Sequence, residues 1–135
     1  MSKTRYVIGT VRLLEPNYFR TRTITEATDV YSFGVLLLIL LTGRKAFDRD
    51  RDENQQMLCI YVAHMAEEGR YIDILDPKIL EEDGGNNEAR QLQLQTFLKL
   101  ALRCIEKRRE DRPLMIDATK ELINIERSIR LLSTN

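Results

Sequence analysis

The chain has 135 residues, 43% of them hydrophobic and 31% charged, which is the size and balance of one globular domain and excludes a disordered composition. Lys plus Arg and Asp plus Glu number 21 each, so the formal net charge is zero and nothing in the bulk charge points to nucleic acid or an anionic membrane surface. Binding to another protein is the default expectation.

Met1 to Tyr6 contain no apolar stretch of signal-peptide length, and no glycine follows the methionine for acylation. Residues 1–23 lack a sustained period and contain Gly9, Pro16 and scattered basic residues, so they read as an extended arm; residues 24–135 read as one helical domain. Thr25 to Asp29 supply start signals for a helix, with Thr25 or Asp29 as the cap. From Val30 to Leu41 the pattern is apolar on nearly every side, which predicts a helix enclosed by other elements, ending at Thr42-Gly43. Its longest apolar run, Val35 to Leu41, is far short of the about 20 residues that span a bilayer. A cytoplasmic chain is expected, without direct membrane insertion, for which a partner is the route to the plasma membrane.

Arg44 to Glu53 is charge-rich and of mixed sign, which predicts a solvated connector. Met57, Ile60, Tyr61, His64 and Met65, at spacings of three and four, predict an amphipathic helix that ends at Gly69 with His64 as a packing residue. Ile72, Ile74, Leu75 and Ile79 around Asp76-Pro77 predict a short helix and a turn, and the acidic, glycine-bearing run Glu81 to Glu88 a mobile loop. Leu92, Leu94, Phe97, Leu98, Ala101, Leu102 and Ile105 mark another helix, closed by the charge run Glu106 to Arg112. Pro113 then takes a first-turn position for a last helix carrying Met115, Ala118, Leu122, Ile123 and Ile129. No strand-like alternation of useful length occurs, so the fold class is mainly α.

Cys59 and Cys104 fall inside apolar helical patterns, with no C-x-x-C pair and a single histidine, and read as reduced core thiols ahead of a disulfide or metal ligand. No zinc constellation can be assembled at recognised spacing. Ser32 lacks a nucleophile elbow and His64 has no evident nucleophile partner. The basic clusters Arg44-Lys45 and Lys107 to Arg109 are interleaved with acids, which favours solvated faces over phosphate sites.

The order of short motifs is more specific than any one of them. Gly9-Thr10, Pro16, Tyr18-Phe19-Arg20-Thr21, Asp29-Val30-Tyr31-Ser32-Phe33-Gly34, Leu40-Leu41-Thr42-Gly43-Arg44-Lys45, Ile74-Leu75-Asp76-Pro77, Leu100 to Cys104 and Glu110-Asp111-Arg112-Pro113 follow one another along nearly the whole chain. This succession resembles the C-terminal large lobe of plant receptor-like protein kinases, closest to the wall-associated-kinase-like group, which includes pseudokinases that act as adaptors for immune receptors. The resemblance implies a partial kinase C-lobe helical bundle, preceded by an activation-segment-like arm and lacking the N-lobe and catalytic loop.

What the resemblance implies for individual residues is mixed. Gly9 and Thr10 match the substrate-facing loop, but Arg12 stands where the family usually has glycine and Leu13 where it has an aromatic residue. An arginine reaches positive φ only at a cost, so the loop ending at Pro16 is expected to be reshaped into a partner-binding remnant. Asp29 matches an aspartate that accepts backbone hydrogen bonds from the catalytic loop; the plainer role is a helix cap. Arg112 matches an arginine that pairs with a glutamate closing the activation segment, and that position is Asn17 here. Arg112 is therefore expected to lack its carboxylate, with Glu15 as an alternative partner; breaking one side of a buried pair costs on the order of 3–5 kcal/mol unless the site repacks. Ile39 stands where many relatives carry a glutamate.

No Gly-rich loop, Val-Ala-Ile-Lys lysine, His-Arg-Asp loop or Asp-Phe-Gly anchor is found in the sequence. Phosphoryl transfer relies on those groups for positioning and charge stabilisation, so no catalytic, cofactor-binding or metal-binding residue is assigned. The expectation is a truncated, catalytically inactive kinase-like protein that binds an immune receptor or receptor-like kinase through residues 9–20 and a helix near 56–68. The alternative is the C-terminal fragment of a serine/threonine kinase whose ATP-binding half lies outside this chain, and a further one is a pseudogene-like product. An uncovered apolar surface on the 30–41 helix is foreseen in any of these cases.

Overall fold

A computed structural model describes residues 25–81 and 88–133, apart from the side chains of 129, 132 and 133. The arm residues Gly9, Thr10, Arg12, Leu13, Glu15, Pro16 and Asn17, and most of the acidic loop, lie outside the described residues. The helices are α1 (Glu26–Thr42), α2 (Leu58–Glu67), α3 (Tyr71–Ile74), α4 (Pro77–Glu81), α5 (Glu88–Cys104) and α6 (Met115–Ser133). Among the described residues the only β pairing is an isolated bridge between Phe47 and Met57.

Local chemistry sets both ends of α1. Thr25 is extended (φ −131°, ψ 177°) and forms a reciprocal pair with Thr28: each backbone N–H meets the other's hydroxyl, at 3.0 and 3.4 Å. Two of the helix's orphan donors are thereby satisfied, and Thr25 rather than Asp29 is the cap. Gly43 closes the helix at φ 66°, donating its N–H to the Ile39 carbonyl at 2.9 Å. A Cβ on Gly43 would lie 2.6 Å from Asp76 Oδ2, because the Asp76-Pro77 turn docks here and gives its N–H to the Leu41 carbonyl at 2.8 Å. A carbonyl left over at the end of one helix is thus met by a turn more than thirty residues on.

Around α1 the other helices pack in two clusters. Val35, Leu38 and Leu41 meet Leu58 and Val62 of α2 together with Leu94 and Leu98 of α5, all buried. Val30 at the other end joins Leu100, Cys104, Ala118 and Ile125, which ties α6 to the bundle. Arg103 and Glu121 add a bidentate pair across the α5–α6 seam at 3.1 and 2.7 Å. The thiols of Cys59 and Cys104 are both free and buried.

The uncovered apolar surface foreseen on the 30–41 helix is present among the described residues, since Leu36 and Leu40, one turn apart, are 48% and 62% exposed. Three other expectations are corrected. The helix near 58–67 forms, but its inward stripe is Leu58, Cys59, Val62 and Met65, while Ile60 and His64 point outward. Spacings of three and four fit either stripe. The phase is set where the Leu58 N–H bonds the Ala46 carbonyl at 2.8 Å, beside the Phe47–Met57 bridge. His64 is therefore not a packing residue: its imidazole is solvent-exposed, 3.1 Å from Glu68. The last helix begins at Met115 with Pro113 just outside it. Its Met115 N–H is capped from another element, by the Glu26 carboxylate of α1 at 3.1 Å.

The 44–53 connector is also less free than a solvated loop. Arg51 Nη2 donates to the carbonyls of Lys45 and Gln56, at 3.1 and 2.7 Å, and Asp48 N–H bonds the Gln56 carbonyl at 3.0 Å.

Candidate functional site

The start of α1 carries a buried cation. Arg112, 6% exposed, reaches under the first turn and donates from Nη1 to the Ala27 carbonyl (2.9 Å), from Nε to Glu106 (2.7 Å) and from Nη2 to Lys107 (3.3 Å). Its guanidinium also lies 4.9 Å from the centre of the Tyr31 ring. Five donors in a fixed fork suit this arrangement of carbonyls and an aromatic face. The sequence pointed to a lost carboxylate; among the described residues the guanidinium is met by main-chain oxygens, which a residue-by-residue comparison could not locate. Arg109 reaches the Thr28 hydroxyl from the same loop at 3.4 Å. Asp29 is exposed in the first turn of α1, where its charge suits the positive end of the helix dipole.

From this anchor a groove of about 1190 Å³ opens between α1, α2 and the loop after α5. Its floor is apolar, with Tyr31, Cys59, Ile60, Ala63, Leu102 and Ile105, and its rim is of mixed charge, with Glu67, Lys107, Arg108 and Asp111. Burial pushes the Cys59 thiol above its ordinary range, while a hydrogen bond with Tyr31 opposes that effect less strongly. Cys59 is thus a protonated floor residue rather than an activated nucleophile. On the rim Arg108 lies 2.7 Å from Glu110, whose carboxyl is held low first by its own backbone N–H and then by Arg108. Among the described residues no three His, Cys, Asp or Glu side chains gather on a metal position. An apolar floor with a self-compensated rim suits side chains of another protein better than a phosphate.

Of the residues expected in the site, Arg112 and Asp29 both fall at the start of α1, but only Arg112 is buried there. The groove residues Tyr31 and Cys59 were visible in the sequence only as core positions, and Glu26 only as a first-turn acid. What joins them is the crossing of α1 with α2 and α6, for which the sequence carries no local mark.

Comparison with known proteins gives a consistent picture. Serine/threonine-protein kinase ZRK1 of Arabidopsis thaliana is 37% identical over 128 residues, which is 95% of this chain and 36% of that protein. This chain is a relative of plant protein kinases and pseudokinases. Two further relatives of the kinase-like chain from the same plant are the non-functional pseudokinase ZED1, 38% identical over 90% of this chain and 37% of that protein, and wall-associated receptor kinase-like 15, 38% identical over 87% and 18%. No protein-family model matches. The chain spans about a third or less of the length of these relatives, and the match falls in their C-terminal part. Its helical bundle is accordingly that of a kinase C-lobe. Relatives at nearly equal identity are named as a kinase and as a non-functional pseudokinase, so similarity alone does not assign activity to the kinase-like chain. No described helix is long and apolar enough to cross a membrane.

Proposed function

We propose that this chain is a catalytically inactive, kinase-like binding module that works by protein–protein contact in plant receptor or immune signalling, in the cytoplasm. The observation that carries the reading is the groove between α1 and α2, apolar in its floor and rimmed by charges of both signs. Gly9, Thr10, Arg12, Leu13 and Pro16 complete the proposed partner surface as a reshaped loop remnant. Asn17, Asp29 and Arg112 are proposed as fold positions rather than chemical ones. The partner is a receptor or receptor-like kinase, reached at the plasma membrane through that contact.

The test has two arms. Purified chain incubated with ATP and Mg²⁺ is expected to transfer no phosphate to itself or to a general protein substrate. A panel of receptor-like kinase cytoplasmic domains, titrated against it, is expected to contain a binder whose affinity falls at least about tenfold with Ile60→Asp, a loss of about 1.4 kcal/mol at a groove residue already 54% exposed. Phosphate transfer above a no-protein control would sink the inactive reading, and binding insensitive to Ile60→Asp would remove the groove from it.

A second reading is favoured by the relative named as a serine/threonine kinase, of which this chain spans 36%. Here the chain is the C-terminal part of an active kinase whose ATP-binding half lies upstream. Intact His-Arg-Asp and Asp-Phe-Gly motifs in frame upstream in the transcript would decide for it.

A further inference from the structure

The outer side of α6 is not the polar side that a helix packed along one face usually turns to solvent. Met115, Ala118, Leu122 and Ile125 face the bundle. Ile116 and Ile123 lie on the opposite side and are both exposed, and Lys120 and Arg127, exposed as well, alternate with them at spacings of four, three and four. The four form one stripe about 16 Å long. The acids of the helix lie off it. Glu121 is paired with Arg103 at 2.7 Å, and Asp117 sits in the first turn, where its charge suits the helix dipole. Glu126 is paired with Arg130, which holds its carboxyl low, with Arg127 the smallest influence. Among the described residues no carboxylate forms an ion pair with Lys120 or Arg127.

The groove between α1 and α2 has the complementary balance. Its cations are engaged, Arg108 by Glu110 at 2.7 Å and by Asp111 at 3.9 Å, and Lys107 by an interaction of its own. Two of its acids are not. Glu67 on α2 and Glu106 at the start of the loop after α5 are exposed and form no ion pair among the described residues. Between them the floor is apolar, with Ile60, Ala63, Leu102 and Ile105. The ten residues of α2 run about 15 Å, the length of the α6 stripe. Two isoleucines and two unpaired cations on one helix face thus match an aliphatic floor edged by two unpaired carboxylates. Two α6 stripes set against each other would instead bring the cations of both copies together, so the match is between unlike surfaces.

We propose that this chain self-associates head to tail, the stripe of Ile116, Lys120, Ile123 and Arg127 on one copy seated in the groove of another. The isoleucines meet the floor and the cations meet Glu67 and Glu106 on the rim. The inference concerns a second copy of the chain and does not depend on whether a receptor kinase also uses the groove.

Mass and charge reversal together test it. Sedimentation equilibrium of the full chain between about 1 μM and 1 mM is expected to give a mean mass that rises above 15.8 kDa. The groove variant Glu67→Lys/Glu106→Lys and the stripe variant Lys120→Glu/Arg127→Glu, all at exposed side chains, should each weaken association at least about tenfold while staying folded by circular dichroism. Mixed one to one, the two variants should associate again, because each stripe then meets a groove of opposite charge. Loss of folding in either variant could not produce that recovery. A monomer at every concentration overturns the proposal and leaves the groove to other residues of this chain or to another protein. Association that ignores both variants, or that mixing fails to restore, overturns the seating of the stripe in the groove.

Discussion

Replacing Gly34 by alanine tests how closely α1 and α5 approach. A Cβ at this position would lie 2.7 Å from Cys104 Cβ, 2.8 Å from Ile105 Cγ2 and 3.1 Å from the Ala101 carbonyl oxygen. Carbon atoms prefer about 3.5–4.0 Å, so the crossing has to open by roughly 0.7–1 Å. Ile105 can rotate its methyl away. Cys104 Cβ and the Ala101 carbonyl move only with the α5 backbone, which Leu98 and Leu100 hold in the core. Overpacking of this kind costs about 1–3 kcal/mol, and the upper part of that range applies where the clash is with backbone. Against it stands the helix-propensity gain of about 1 kcal/mol when glycine becomes alanine. A net loss of about 1–2 kcal/mol is expected, read as a lower denaturation midpoint at unchanged slope in urea unfolding followed by circular dichroism. Alkylation of Cys104 should quicken in the same variant, because the displaced segment covers its thiol. Stabilisation near the bare propensity gain, with the thiol still protected, would refute a close α1–α5 crossing.

Three other outcomes follow from the same geometry. Thr25→Ala removes one half of the reciprocal cap and should cost about 1 kcal/mol in chemical denaturation, whereas Asp29→Ala should cost less. Arg112→Met takes the donor from the part-buried Ala27 and Glu106 carbonyls, and a loss of roughly 1–3 kcal/mol is expected by the same measurement. Arg112→Lys should recover only part of it, since an ammonium cannot reproduce the fork; full recovery would mean that charge rather than shape fills the site. Burial lifts the Cys104 thiol from 9.0 to about 11, so the folded state keeps a proton that the unfolded state releases. Stability contributed by this group is complete below pH 9 and declines as pH rises toward 11. Cys104→Ala should flatten that stretch of the stability–pH curve, and an unchanged slope would exclude the thiol as its source.

Much of the secondary structure is written locally. Thr25 and Gly43 bracket α1 because a hydroxyl facing an orphan N–H and a residue at ease with φ 66° are properties of single residues. The stripes of α5 and α6 were legible for the same reason, although Leu92 and Ile123 turned out 64% and 44% exposed. In α2 the period was readable but its phase was not, since Ile60 and Leu58 satisfy spacings of three and four equally well. A contact from the preceding connector turned Leu58 inward and left Ile60 to line the groove.

The candidate site depended even more on assembly. Glu26 reads as an acid at the start of its own helix, yet its carboxylate caps α6; Arg112 reads as half of an ion pair, and among the described residues it bonds the carbonyls of Ala27 and Glu106. The order of short motifs, the helical class and the caps of α1 at Thr25 and Gly43 were determined by the sequence by itself, because each depends on residues within one or two turns of each other. The helix phase, the close approach at Gly34 and the groove were decided by the tertiary structure, because each is an agreement between surfaces that meet only when separate helices pack.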